Sequence, residues 1–211
     1  LAEKSSLMHQ VLCETSIAKN ARDYLYNRGI EDEDIKAFLL GYAEDINAVS
    51  IPYHDQDKVV GIKYRLINPE ENQPRYINEF NSKCELYNKN VITSAKELII
   101  CEGEFDAIIA QKLTDLPVVS LPGKDSLKEE WLTSLKSVKK IYLCLDKDAQ
   151  ETAKKHALKL GAHKCYLVSM PYKDINEAYL NGFSKEEYSL LLKEAKFLFD
   201  DVVISSKSLV K

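Results

Sequence analysis

Three acidic stretches each follow an apolar run. Leu98-Ile99-Ile100-Cys101 leads into Glu102-Gly103-Glu104-Phe105-Asp106. Ile141-Tyr142-Leu143-Cys144-Leu145 leads into Asp146-Lys147-Asp148, and the run 164–169 leads towards Lys173-Asp174-Ile175-Asn176-Glu177. Strand side chains alternate faces, so Asp146 and Asp148 can point the same way. Adjacent carboxylates repel, and keeping both ionised calls for a cation; hard oxygen ligands favour Mg²⁺ or Mn²⁺. A plainer reading of the first stretch is that Glu104 and Asp106 only complement the positive end of a helix. That stretch alone supports both readings equally, and the second one favours metal chemistry.

The positioning elements follow from periodicity. Leu98 to Cys101 reads as a strand buried on both faces, followed by a sharp turn at Gly103. Phe105, Ile108, Ile109 and Leu113 recur at helical spacing. The second half then alternates: strand 97–101, helix 104–113, strand 117–120, helix 125–137, strand 139–145, helix 149–160, strand 164–169, helix 174–181. Such alternation implies right-handed crossovers and a parallel sheet, with ligands at the carboxyl ends of its strands. Between strand 117–120 and the next helix, Lys124 follows Gly123 and would sit near the acids, where it could meet a phosphate.

The first half reads differently. Leu7, Val11 and Leu12 suggest a helical stripe. Ile17, Ala21, Tyr24 and Leu25 suggest a second helix ending at Gly29. Ile35, Phe38 and Leu39 suggest a third, closed by Gly41. Residues 49–53 and 59–67 read as strands joined by a turn over 54–58, with a short strand over 75–78. Alternation places Gly61, Lys63 and Arg65 on one face and Val60, Ile62, Tyr64 and Leu66 on the other. After Gly182, Ser184 and Glu187 form a capping box. Tyr188, Leu191, Leu192, Ala195, Leu198 and Phe199 then make an apolar stripe, on a helix that packs back or leads towards a partner.

Composition bounds the function. The 211 residues carry 29 Lys and Arg against 33 Asp and Glu, a net charge of −4, unlike a protein that coats nucleic acid with a basic surface. A local basic groove remains compatible with that sum. No apolar run is long enough to cross a bilayer, so no membrane partner is expected. The five cysteines form no Cys-x-x-Cys pair, which points to a reduced, cytoplasmic setting (a host's cytoplasm if the source is viral) and to no structural zinc.

Glu102-Gly103 with Asp106, then Asp146-Lys147-Asp148, then Lys173-Asp174-Ile175-Asn176-Glu177 resembles the Toprim domain. That domain is shared by DnaG-type primases, type IA and II topoisomerases and some nucleases and repair proteins. The last stretch, continuing Ala178-Tyr179-Leu180-Asn181-Gly182, is most similar to the primase half of phage primase-helicases. Tyr24-Leu25-Tyr26-Asn27-Arg28-Gly29-Ile30, Leu40-Gly41-Tyr42-Ala43 and Ile51-Pro52-Tyr53 are similar to the segment preceding Toprim in primases. Gln150 stands where the family often has glycine, and Asn176 replaces an acidic residue of bacterial primases.

The resemblance implies an α/β fold, with a Toprim domain over 96–183, a smaller α+β subdomain over 1–95, and a helix and the start of a linker over 184–211. It implies a primase joining ribonucleoside triphosphates on a single-stranded DNA template, with a replicative helicase, fused or separate, as partner. Mg²⁺ or Mn²⁺ would be held by Glu102, Asp106, Asp146, Asp148 and Asp174, of which Glu102, Asp146 and Asp148 would be catalytic, Glu102 as general base. Lys63, Arg65, Arg75 and Lys124 would hold template or triphosphate. It also implies a preceding zinc-binding domain, for which these residues offer no ligand pairs, and no P-loop of a helicase is present. Two other readings stand beside it: a Toprim-type metal-dependent nuclease, and a degenerate domain that only grips single-stranded DNA for a helicase. A topoisomerase would need a tyrosine nucleophile at a DNA gate, and none of the twelve tyrosines has that setting.

Overall fold

The computed structural model describes residues 1–83, 85–123 and 126–197. Lys124, Leu198, Phe199 and the linker expected from Asp200 onwards lie outside the described residues. The chain divides into two compact units, Leu1–Asn90 and Val91 onwards.

In the first unit, α1 (Ala2–Glu14), α2 (Lys19–Tyr26) and α3 (Asp32–Ala37) accompany a four-stranded antiparallel sheet. Its strands are β1 (Gly41–Ala43), β2 (Ala48–Asp55), β3 (Lys58–Leu66) and β4 (Tyr76–Asn78), in that spatial order. The core gathers Met8 of α1 with Ala43, Ala48, Ile62, Tyr64 and Leu66 of the sheet. Asn47 links β1 to β2 in a left-handed conformation, φ 46°, which asparagine tolerates. Its side-chain oxygen accepts from Asn20 and from the Tyr42 hydroxyl, and its side-chain NH₂ donates to the Ile67 carbonyl.

Five expectations are corrected here. The buried stripe of α1 is Ser5, Met8 and Leu12, and Leu7 is exposed. Leu39 is exposed too, because the chain leaves α3 through it with φ 51°, and Leu40 turns inward instead. Gly41 does not close a helix; it opens β1, where a Cβ would lie 2.7 Å from the Met8 carbonyl carbon and 2.8 Å from the His9 nitrogen. Finally, Tyr53 pairs with Gly61 but His54 pairs with Val59, so Val60 is an extra residue in β3. That bulge shifts the alternation by one, and Val59 rather than Val60 joins the Ile62 face. His54 lies within β2 and the turn begins after Asp55.

The second unit holds a five-stranded sheet flanked by helices. β5 (Glu97–Cys101), β6 (Val118–Ser120), β7 (Lys140–Cys144) and β8 (Cys165–Leu167) run parallel, and β9 (Lys196–Phe197) adds an antiparallel edge. The order is β6-β5-β7-β8-β9. β5 and β7 pair in register from Glu97 with Lys140 to Cys101 with Cys144. Leu98, Ile99, Ile100, Ile141 and Leu143 are almost wholly buried, as strands covered on both faces require. The connecting helices are α4 (Glu104–Lys112), α5 (Glu129–Leu135), α6 (Gln150–Leu160) and α7 (Ile175–Leu180).

The chain leaves β5 to one side for β6, then returns past β5 to β7. The switch point of the sheet therefore falls between β5 and β7, the place where open α/β sheets take ligands. α8 (Lys185–Lys193) starts at the expected Ser184–Glu187 box and packs back on this unit through fully buried Tyr188. It ends at Lys193, and the chain turns into β9, where a helix had been expected to continue. Phe197 there stacks near Tyr166, ring centroids 5.6 Å apart.

The close α1–β1 approach generates a stability prediction. Gly41→Ala must push backbone against backbone and should destabilise by about 1–3 kcal/mol in denaturant unfolding. Gly123→Ala, where a Cβ meets nothing within 4 Å, serves as the neutral control.

Candidate active site

Glu102 is the first residue beyond β5. Gly103 caps α4 with an ordinary extended backbone (φ −129°), so the expected need for glycine flexibility is not what keeps it there. Its lack of a side chain makes room: a Cβ would sit 2.9 Å from Asp106 Oδ2. Asp106, three residues into α4, folds its carboxylate back over that gap. Asp146 follows β7 and Leu145, and its carbonyl accepts the Ala149 N–H at 2.8 Å. Asp148 in the same turn is exposed. Asp174 caps α7, accepting the Glu177 N–H at 2.7 Å, while the Glu177 carboxylate accepts the Lys173 N–H at 2.7 Å. One backbone bond ties the second and third loops, from the Lys147 N–H to the Lys173 carbonyl at 2.9 Å.

The electrostatics show which carboxylates the fold brings together. Asp106 is pushed well above its ordinary value, first by burial and then by Asp174, Asp146, Glu102 and Glu104. Asp146 is raised to about 6, by burial and by Glu102, Asp174 and Asp148, with Lys173 pulling the other way. Glu102, Asp106, Asp146, Asp148 and Asp174 thus form one mutually repelling group.

Among the described residues, no three His, Cys, Asp or Glu side chains stand together as a ready cage for a metal ion. The donor set nevertheless fits a hard divalent cation. It is all oxygen and partly open to solvent. Its protons are held by burial and by crowding of negative charge, the second of which a cation would relieve. Mg²⁺ commonly takes one or two carboxylates and completes its shell with water and substrate phosphate, so a full protein cage is not required.

The basic candidates lie in the first unit. Lys63 is 9% exposed rather than spread on a solvated face, with its ammonium 4.5 Å from the centre of the Tyr76 ring. Arg65 shares that ring at 4.8 Å and donates Nε–H to the Tyr24 hydroxyl at 2.8 Å. Both therefore lie on one face of β3, as alternation predicted. Arg75 is exposed.

Sequence reasoning missed four supporting groups. Lys173 supplies counter-charge to Asp146, and Glu177 orders the loop before α7; the Asp174-x-x-Glu177 capping spacing was a signal for the latter. Tyr24 and Tyr76 hold the basic pair; the helical stripe marked Tyr24 only as a packing residue, and no local pattern marked Tyr76.

Comparisons with known proteins agree with this geometry. A family model described as Toprim-like matches residues 99–179. The chain is 27% identical to a DNA primase of Campylobacter jejuni, covering 83% of this chain and 35% of that protein. It is 24% identical to a primase homolog protein of Arabidopsis thaliana, covering 78% of this chain and 52% of that one. It thus spans about half or less of the length of these relatives. Among solved structures, it is similar to the zinc-binding and RNA polymerase domains of Aquifex aeolicus primase. The TM-score there is 0.80 at 22% identity, over 98% of this chain and 62% of that one. A DnaG primase catalytic domain bound to single-stranded DNA gives a TM-score of 0.75 at 18% identity, over 97% and 81%. The primase fragment of bacteriophage T7 primase-helicase gives 0.66 at 23% identity, over 78% and 72%. The second unit therefore carries a Toprim-like domain, and the chain has the fold of the catalytic core of DnaG-type primases.

Proposed function

We propose that this chain is the catalytic core of a DNA primase, joining ribonucleotides into a short primer on single-stranded DNA. The observation that carries the reading is the crowding of five carboxylates at the carboxyl ends of β5, β7 and β8, around the switch point of the sheet. Glu102, Asp106, Asp146, Asp148 and Asp174 would hold Mg²⁺ or Mn²⁺. When bound, such a cation supplies charge stabilisation at the attacked phosphate and a lowered pKa for the attacking 3′-hydroxyl.

The remaining tasks belong to the chain's own groups. Glu102 would take the hydroxyl proton. Asp174 spends one oxygen capping α7, which leaves its other oxygen for the site and fixes its direction. Asn176, buried in the first turn of α7, positions rather than coordinates. Arg65 and exposed Arg75 would grip template phosphates, Lys63 would contribute through the Tyr76 face it shares with Arg65, and Lys124 would meet a triphosphate. A replicative helicase, fused or separate, is the partner this reading implies, supported by the likeness to the T7 fragment.

The test pairs primer synthesis with DNA binding. Asp146→Ala should lower nucleotide joining by at least about 100-fold while single-stranded DNA affinity, read by fluorescence anisotropy, holds or rises. Undiminished joining would overturn the assignment. Arg75→Ala should weaken DNA binding for all template sequences and make the salt dependence shallower by about one unit.

The raised Asp146 gives a second, assay-free prediction for metal-free protein. Its folded pKa of about 6 exceeds the ordinary aspartate value of 3.8, so the native state holds the proton more tightly. The resulting stability is fully present below pH 3.8 and is lost as pH rises through about 6. With solvent screening discounted, the loss is on the order of 1 kcal/mol. Asp146→Asn should therefore raise the melting temperature at pH 7.5 in chelator and flatten its decline between pH 4 and 6 relative to the parent. Added Mn²⁺ should stabilise the parent more than the variant at pH 7.5.

A further inference from the structure

The opposite end of the parallel sheet carries an unassigned site. The segment before β7 and the turn before β8 border an open cavity of about 550 Å³, lined by Lys136, Ser137, Lys139, His163 and Lys164 together with the apolar Val138 and Leu160. It lies at the amino ends of the strands whose carboxyl ends carry the acids. Asp146 lies seven residues beyond Lys139, a span of roughly 20 Å at strand rise.

Lys164 gives the cavity its character. It is 8% exposed, yet an ammonium is costly to bury unless it is compensated. Its Nζ donates to the carbonyls of Leu135 at 2.6 Å and Val138 at 3.1 Å. An ammonium has three N–H donors, so one remains for a further acceptor. Two carbonyl dipoles supply no net negative charge, and among the described residues none of Lys136, Lys139, His163 and Lys164 is paired with a carboxylate. Burial lowers the Lys164 pKa, with only the neighbouring Cys165 thiol acting the other way among the described residues.

The backbone leaves room for the rim imidazole. Gly161 takes φ 101°, and a Cβ there would stand 3.0 Å from His163 Cε1. A side chain at that position would therefore displace the imidazole from the rim. Lys96 adjoins through its backbone, its carbonyl accepting from the N–H groups of Lys139 and Lys140. Glu97, also at this end, accepts from the Tyr142 hydroxyl at 3.2 Å.

We propose that this cavity is a phosphate-binding site, taking the phosphate of a free nucleotide or of a nucleic-acid strand. Lys164 would form its floor, with Lys136, Lys139 and His163 around the rim and the Ser137 hydroxyl as a neutral donor. A compact, many-donor site suits a phosphate better than a planar carboxylate, for which a guanidinium fork is the usual partner.

The experiment is a titration of the isotopically labelled chain, followed by NMR, in metal-free buffer at fixed ionic strength, so that the acidic end takes no part. Inorganic pyrophosphate is the first probe. A nucleoside diphosphate and a single-stranded oligonucleotide without terminal phosphates then separate the two sources. Saturable shifts of the amides at 136–139 and 161–164 are expected, with affinity reduced about tenfold or more in Lys136→Ala/Lys139→Ala. Both lysines are exposed, so that variant keeps its fold even if a Lys164 substitution would not. Shifts no larger than those of sodium chloride at equal ionic strength, or equal affinity in the double variant, would overturn the assignment. A response to the diphosphate assigns the site to free nucleotides, and a response to the oligonucleotide assigns it to a strand.

Discussion

Repulsion among carboxylates at the carboxyl end of one sheet is the constraint on which the second unit depends. Asp106 and Asp146 each have a raised affinity for protons because burial and their acidic neighbours act together. A chain would separate such groups if it were free to do so. It is not free, because β5 and β7 are held in register over five residue pairs with side chains buried on both faces. The hydrophobic strands thus hold in place a cluster that is unfavourable by itself. Stability is given up locally, as at sites where strain or charge is part of the chemistry.

The framework offsets part of that cost through small polar devices. The bond from Lys147 to Lys173 joins two acidic loops without spending a side chain. Asp174 gains a backbone donor at the start of α7, and Lys173 brings a positive charge towards Asp146. Gly103 gives the Asp106 carboxylate the only thing it needs there, which is space. What these devices leave unbalanced is negative charge with open oxygen atoms, the condition under which a divalent cation and a triphosphate become mutually supporting ligands.

Legibility in the sequence followed the range of the interactions. The strands at Leu98–Cys101 and Ile141–Cys144 were readable because a strand buried on both faces must be continuously apolar, and their acidic ends were readable with them. The exit from α3 was not, since Leu39 in a left-handed conformation contradicts its own side chain's preference. The Val60 bulge was invisible for a related reason: one extra residue leaves the alternation intact on either side of it. Lys63 was placed on the right face, but its burial depends on Tyr76 from another strand. β9 was missed because two residues carry no period, and only the neighbouring Tyr166 and β8 make a strand of them.

The same argument explains why net charge was a poor guide to partners. A sum of −4 excludes an all-over basic surface, and it says nothing of polarity within one domain. Parallel strands put every following loop at one end and every preceding loop at the other. Here the following loops carry Glu102, Asp146, Asp148 and Asp174, and the preceding segments carry Lys96, Lys136, Lys139 and Lys164. Charges scattered along the sequence are therefore sorted by strand direction into two opposed ends. On the readings proposed above, each end would select a different ligand chemistry: cations and the phosphates they bring at one, phosphate held directly by ammonium groups at the other.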